Sequence, residues 1–244
     1  MSQGFLLEVA ANSVASAVAA QEGGAGRVEL CTALELGGLT PSMALIAMVR
    51  ERLHIPLYVL IRARAGDFLY NDLECELMRR DIETCAALAC DGVVLGVLDA
   101  EGAIDKARCR MLIEAAGEMG VTFHRAFDMT RDPEQALEDI IELGCERVLT
   151  SGAQASAPEG APLIRKLVTQ STGRITVMPG AGVSAQNIAA LAKATGAHEF
   201  HASAKQLLPS GMRHQRPALH DMEGGEWRSD VRQVRELTDQ LHRL

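Results

Sequence analysis

Eight short apolar runs punctuate the chain, reading in order LLEVA, RVELC, LYVLIR, GVVLGVLD, VTFHRAFD, RVLTSG, ITVMPGAG and HEFHASA. Runs of this length, rich in Val, Leu and Ile, are the pattern of strands covered on both faces, the condition of a parallel sheet. Between them lie stretches of helical length and spacing over residues 13–21, 41–52, 73–88, 105–119, 133–143, 161–170 and 184–193. Start and stop signals frame these stretches: Asn12 ahead of the first and Gly23-Gly24 behind it, Thr40-Pro41 at the second, Asp132-Pro133 at the fifth and Ser184 at the seventh. Strand and helix alternate with no linker long enough to divide the chain, which predicts an α/β fold closed as a single (β/α)8 TIM barrel over residues 1–244. No GxGxxG follows the first run, which weighs against an open dinucleotide-binding sheet. Residues 205–228, with Pro209, Gly211, Pro217, Gly224 and Gly225, read as an irregular loop, and residues 229–243 as a C-terminal helix carrying Val231, Val234, Leu237 and Leu241 at helical spacing. A loop of that length is a functional excursion or an arm across a subunit interface, with a merely mobile segment as an equal alternative.

Composition narrows the partners. With 48% hydrophobic but only 3% aromatic residues, the core must be built from Ala, Leu, Val and Ile. A net charge of -8 and the lack of a Lys/Arg stripe argue against a nucleic-acid backbone or an anionic membrane surface. The apolar stretch at residues 14–20 is too short to span a bilayer and has no basic leader, so a cytoplasmic protein is expected. Six cysteines at 31, 75, 85, 90, 109 and 145 form no CxxC, and five of them read as buried small hydrophobes. Cys31 differs, because it ends a strand run two residues after Glu29 and shares its face.

The candidate chemistry sits where the runs end. Glu8, Glu29, Arg62 and Arg64, and the trio His124, Arg125 and Asp128, occupy the ends of four runs, the side of a parallel barrel where sites are built. Glu8, Glu29, Arg62, His124 and Asp128 are the catalytic candidates, able to hold an anionic substrate while a Glu or His moves a proton. Gly180, Gly182 and Ser203 follow the seventh and eighth runs, and their loops offer backbone N–H groups to a phosphate or other anion. Two plainer readings stand beside these: a closed salt-bridge network that fixes the mouth without a ligand, and glycines that serve only a tight turn. The segment from Arg62 to Asp67 runs into Phe68 and Tyr70 and has the make-up of a lid.

RVELC followed by GGLTPS, then IRARAGDFLYND, VTFHRAFDM, RVLTSG, MPGAGV and EFHASA, resembles in order and spacing the CutC copper homeostasis proteins, over roughly residues 6–216. The resemblance implies a TIM barrel, a cytoplasmic location and an association with copper tolerance, and it brings no catalytic reaction. Cu(I) favours thiolate and thioether ligands with imidazole as a third, so Cys31, His124 and His201 are the candidate metal ligands, with Met178 as a further soft group. Two functional expectations follow. One is a copper homeostasis protein holding Cu(I) at the C-terminal mouth of the barrel. The other is a metal-independent isomerase, lyase or hydrolase acting on a small anionic or phosphorylated metabolite. A third expectation, a structural or regulatory protein assembled through its tail, accompanies a homo-oligomeric state in which a dimer is favoured.

Overall fold

In the computed structural model, which describes residues 4–214, 216, 218 and 224–244, the eight runs are eight parallel strands. They are β1 (Leu6–Ala11), β2 (Arg27–Leu30), β3 (Leu57–Leu60), β4 (Gly92–Leu95), β5 (Gly120–Phe123), β6 (Arg147–Thr150), β7 (Thr176–Pro179) and β8 (Glu199–Ala202). Their order around the sheet is β7-β6-β5-β4-β3-β2-β1-β8. The ring is completed where β7 abuts β8: a Cβ built on Gly180 would lie 3.2 Å from the Cβ of His201. Outside the ring run α1 (Val14–Glu22), α2 (Met43–Arg50), α3 (Asp72–Ala87), α4 (Lys106–Ala116), α5 (Pro133–Glu142), α6 (Ala161–Ser171), α7 (Ile188–Thr195) and α8 (Val231–His242). This is a (β/α)8 TIM barrel. No helix among the described residues is long and apolar enough to cross a membrane.

Strand parity divides the core in two. One set, including Val9, Val28, Leu30, Val59, Val93, Leu95, Phe123, Val148, Val177 and Phe200, is buried against helix residues such as Met78, Ile82, Leu112, Leu137, Ile164, Leu167 and Val234. Each such side chain contributes about 1.5–3 kcal/mol by leaving water. The other set points into the barrel and is strikingly polar in make-up: Glu8, Arg27, Glu29, Tyr58, Thr122, His124 and Arg147 are all buried there. Register decides which of them meet, since Glu8 stands opposite both Arg27 and His201 on the neighbouring strands.

Several boundaries differ from the sequence expectation. α2 begins at Met43, with Ser42 accepting the Leu45 N–H at 3.2 Å, because the Thr40 hydroxyl is already taken by the Arg62 N–H at 2.8 Å. α7 begins at Ile188 because Ser184 and Asn187 close a turn of their own: the Ser184 N–H donates to the Asn187 side chain at 2.9 Å, which in turn donates to the Gly182 carbonyl at 2.8 Å. The segment 205–228 is not irregular throughout. β9 (Lys205–Leu208) and β10 (Glu226–Ser229) pair antiparallel; the Trp227 carbonyl accepts from the Asn12 side chain at 2.8 Å and the Ser229 hydroxyl donates to the Ala10 carbonyl at 3.2 Å, tying the pair to β1 and the residue after it. Residues 215, 217 and 219–223 of the expected loop lie outside the described residues.

Candidate functional site

The N-terminal end of the barrel is sealed by a charged floor. Gly92 and Gly120 leave space on β4 and β5, and Tyr58 from β3 fills it; a Cβ on Gly92 would fall 2.2 Å from the Tyr58 ring. The guanidinium groups of Arg27 and Arg147 face that ring at 5.1 and 5.5 Å. Arg27 is paired with Glu8 and, at 2.6 Å, with Glu199; Arg147 reaches Glu199 at 2.6 Å, Glu146 at 2.9 Å and the Thr122 hydroxyl at 3.1 Å. A closed ion-pair network therefore exists, but Arg27, Arg147 and Glu199 build it with Glu8, while Glu29, Arg62 and Arg125 have no part in it.

Above this floor lies a cavity of about 630 Å³ at the C-terminal ends of the strands, with Glu29, Cys31, Arg62, His124, Arg125, Asp128, Gly182, His201, Ser203 and Lys205 on its wall. Glu8 is one layer deeper and wholly buried, and it touches the cavity only through His201, whose Nδ1 lies 2.7 Å from its Oε1. Glu8, Glu29 and His201 bring ligand-type atoms within 4.8 Å of one another, the one group of three that does so among the described residues. Burial raises the Glu8 carboxyl, but the charge of Arg27 and the bond to His201 outweigh it and bring it down to about 2. Glu29 has no such partner. Burial pushes it up to about 7, the neighbouring Glu8 adds to the rise, and its Oε2 makes no hydrogen bond to a described residue. His201 is raised: burial disfavours its charge, but Glu29 and the bond to Glu8 win.

His124 is neutral. Burial and the nearby Arg62 hold its imidazole down to about 3. Its Nδ1 accepts the Ala126 N–H at 3.2 Å, so Nε2 carries the proton, and that buried N–H has no partner among the described residues. Space for the ring comes from Gly96, where a Cβ would lie 2.7 Å from it, and Phe68 leans on it with ring centroids 5.0 Å apart.

Other expected groups are occupied with structure. Arg62 donates to the carbonyls of Leu36, Gly38 and Gly66 at 2.8, 2.9 and 2.9 Å and covers the Phe68 ring at 5.1 Å, so it organises the loops around the cavity. Arg64 pairs with Asp67 and Glu74 away from the cavity. Asp128 accepts from the Thr150 hydroxyl at 2.5 Å, the Ser151 N–H at 3.0 Å, the Ala153 N–H at 3.1 Å and Arg125 at 2.8 Å, which clamps the loop after β6. Gly180 is a packing glycine, because a Cβ there would meet Leu149 at 2.4 Å. Gly182 (φ +70) and Ala181 (φ +75) turn the backbone in the left-handed region at the cavity wall. The N–H groups of Ala181, Gly182, Val183 and Ser203 make no hydrogen bond to another described residue. Lys205, which the sequence reading missed, joins that wall with its ammonium 4.9 Å from the Trp227 ring.

The soft ligands are less well gathered. Cys31 is buried on the cavity wall, and burial together with Glu29 pushes its thiol far up. It does not join His124 and His201 in a compact group of three. Met178 lies beneath, its sulfur accepting from Arg27 at 3.5 Å. The tightest donor set, two carboxylates and an imidazole, suits harder cations than Cu(I), and the Arg27 charge on Glu8 opposes any cation there.

Fold and site together define a (β/α)8 barrel with a charged floor and a polar, partly unsatisfied mouth. The CutC family model matches residues 5–206. A CutC family protein of Xanthomonas axonopodis pv. citri is 58% identical over 235 residues, 96% of this chain and 98% of the relative. The copper homeostasis protein cutC homolog of Mus musculus is 50% identical over 210 residues, 86% of this chain and 77% of the relative. The crystal structure of CutC from Streptococcus agalactiae superposes with a TM-score of 0.79 at 33% identity, covering 82% of this chain and 98% of that one. The chain belongs to the CutC family.

Proposed function

We propose that this CutC-family barrel takes part in copper homeostasis, as the name of its mouse relative has it, and that its working part is the mouth, which binds a small anionic metabolite and moves a proton on it. One observation carries the reading: Glu29, a buried carboxyl with an unpartnered oxygen, faces a cavity beside a histidine held by a second carboxylate. A carboxyl poised near neutrality can give a proton or take one at physiological pH. His201, held at Nδ1 by Glu8, has Nε2 left as a cationic donor for an oxyanion, and the neutral Nε2–H of His124 is a second. The unpaired N–H groups at Ala181 to Val183 and Ser203, with Lys205, suit a phosphate or carboxylate. A cytoplasmic homodimer is the setting we propose with it; the exposed Leu73 and Leu77 on the outer face of α3 support self-association.

A thermal-shift screen of phosphorylated and carboxylated metabolites tests this. A true ligand at about 100 times its dissociation constant stabilises the wild-type protein by roughly 2.7 kcal/mol. Turnover of that ligand should be lost in Glu29→Gln while the fold survives. A screen in which no anion moves the melting temperature removes the reading. The second reading is direct Cu(I) binding at the mouth, and what favours it is that Cys31, His124 and His201 line one cavity. Anaerobic Cu(I) competition against Cys31→Ser decides it, since a mouth site must lose affinity.

A further inference from the structure

Helix α3 ends on a left-handed residue, Ala89 at φ +55. Two backbone bonds lock the end: the Cys90 N–H donates to the Cys85 carbonyl at 3.0 Å, and the Ala89 N–H to the Ala86 carbonyl at 3.0 Å. This cap folds the residue after the left-handed one back over the last helical turn, where an apolar pair ordinarily makes contact. In this chain both members of the pair are cysteines. Cys85 is fully buried, Cys90 is 6% exposed, and both side chains belong to the same buried cluster. An aliphatic pair would complete the cap equally well, so the two thiols exceed what the helix end needs.

We propose that Cys85 and Cys90 form a two-sulfur site for Cu(I), outside the barrel and separate from its mouth. The proposal rests on the copper-homeostasis reading above, which supplies the reason for soft-metal chemistry in this chain. Cu(I) selects thiolates, and here one helix cap brings two cysteines together. Cys31, by contrast, stands as one sulfur among oxygen and nitrogen donors. Binding converts both thiols to thiolates and releases two protons, with copper remaining Cu(I) and no electron transferred. The complex carries one negative charge, which Arg50 favours and Asp91, paired with Arg50, opposes. Arg50 is held in place by Asp91 at 2.5 Å and by the Leu53 carbonyl at 2.7 Å. Cys90, the less deeply buried of the two, is the sulfur that meets an incoming Cu(I)–thiol complex, and Cys85 completes the exchange from within.

Anaerobic titration of the full chain with Cu(I) against a chromogenic Cu(I) chelator tests this in three proteins: wild type, Cys31→Ser, and the double variant Cys85→Ala with Cys90→Ala. The expected result is one tight Cu(I) in the wild type and in Cys31→Ser, and a loss of about 100-fold or more in the double variant. Wild-type affinity in the double variant, or loss in Cys31→Ser alone, overturns the proposal. Should the double variant fail to fold, alkylation of the wild-type chain in mild denaturant gives the answer: one equivalent of Cu(I) protects Cys85 and Cys90 if they bind it, and unchanged labelling of both refutes the site. Anion-induced thermal shifts in the double variant separate the two ideas, because the mouth must still respond if it works as an anion site.

Discussion

Two buried glutamates less than 5 Å apart in their ligand atoms have opposite thermodynamic signs. Glu8 is ionised and paired, so its charge stabilises the folded state above the ordinary carboxylate range. Glu29 is buried without a cation of its own, and moving it from 4.5 to about 7 means that the folded state bears roughly 3 kcal/mol once it ionises. Neutralising the two residues should therefore have opposite effects. Glu8→Gln leaves Arg27 with Glu199 as its one ionised partner and His201 without the carboxylate charge that holds its proton, and should destabilise the protein by about 3 kcal/mol at pH 8. Glu29→Gln should stabilise it by about 1–2 kcal/mol at pH 8, less than the full relief because the new amide also wants partners, and by nearly nothing at about pH 4, where Glu29 is largely protonated in the folded and the unfolded chain alike. Urea unfolding at both pH values reads these differences, and a destabilised Glu29→Gln at pH 8 would mean that its carboxylate is paired.

At the scale of elements, the cap of α3 offers a test of local geometry independent of any metal. Ala89 holds a left-handed φ of 55, where a Cβ crowds the following carbonyl at a cost of about 1–2 kcal/mol. Glycine removes that crowding but gains freedom in the unfolded chain. Ala89→Gly should thus stabilise by a net ~0.5–1 kcal/mol, seen as a melting temperature a few degrees higher; a lower one would show that the cap has another conformation. The elements themselves were largely legible, because each barrel strand lies in an apolar run and every helix but α6 and α7 starts at a capping side chain. Asn71 even announces α3 through its reciprocal bonds with Glu74. The failures came from competition for a single polar atom: Thr40 had the form of a cap, but Arg62, just beyond β3, claimed its hydroxyl. The mouth was legible by position, since Glu29, His124 and His201 close their strands. The floor lies at the opposite ends of the same strands, with Arg27 two residues before Glu29 and Glu199 two before His201, on the same faces. No local signal could reveal that Asp128 is saturated by the loop after β6, or that Arg62 gives its terminal nitrogens to three loop carbonyls, because most of those partners lie far away in the chain.

For the whole molecule, the buried groups set the pH profile of stability, and their signs can be followed one at a time. Glu29 and His201 have folded pKa values raised above their ordinary ones, so what they contribute is fully present below the unfolded values and is lost as pH rises through the folded ones. Glu8 and Glu199 are lowered, and their contribution is lost as pH falls from the carboxylate range toward about 2 for Glu8. His124, held neutral down to about 3, loses stability as pH falls from 6.5, because the unfolded chain takes up a proton that the folded one refuses. Between about pH 4.5 and 6.5, His124 and Glu29 therefore oppose each other, each with a slope of about 1.4 kcal/mol per pH unit. Their cancellation predicts a plateau across that window, with decline on both sides. Each neutral variant should tilt it. His124→Gln leaves Glu29 unopposed, so stability climbs as pH falls from 6.5 to 4.5; Glu29→Gln leaves His124 unopposed, so stability drops over the same interval. Chemical-denaturation midpoints of the three proteins at half-unit steps measure the tilts directly. Parallel profiles for all three would show that neither group keeps its unusual protonation state in the folded barrel, and with that the proton-transfer role of the mouth would lose its physical basis.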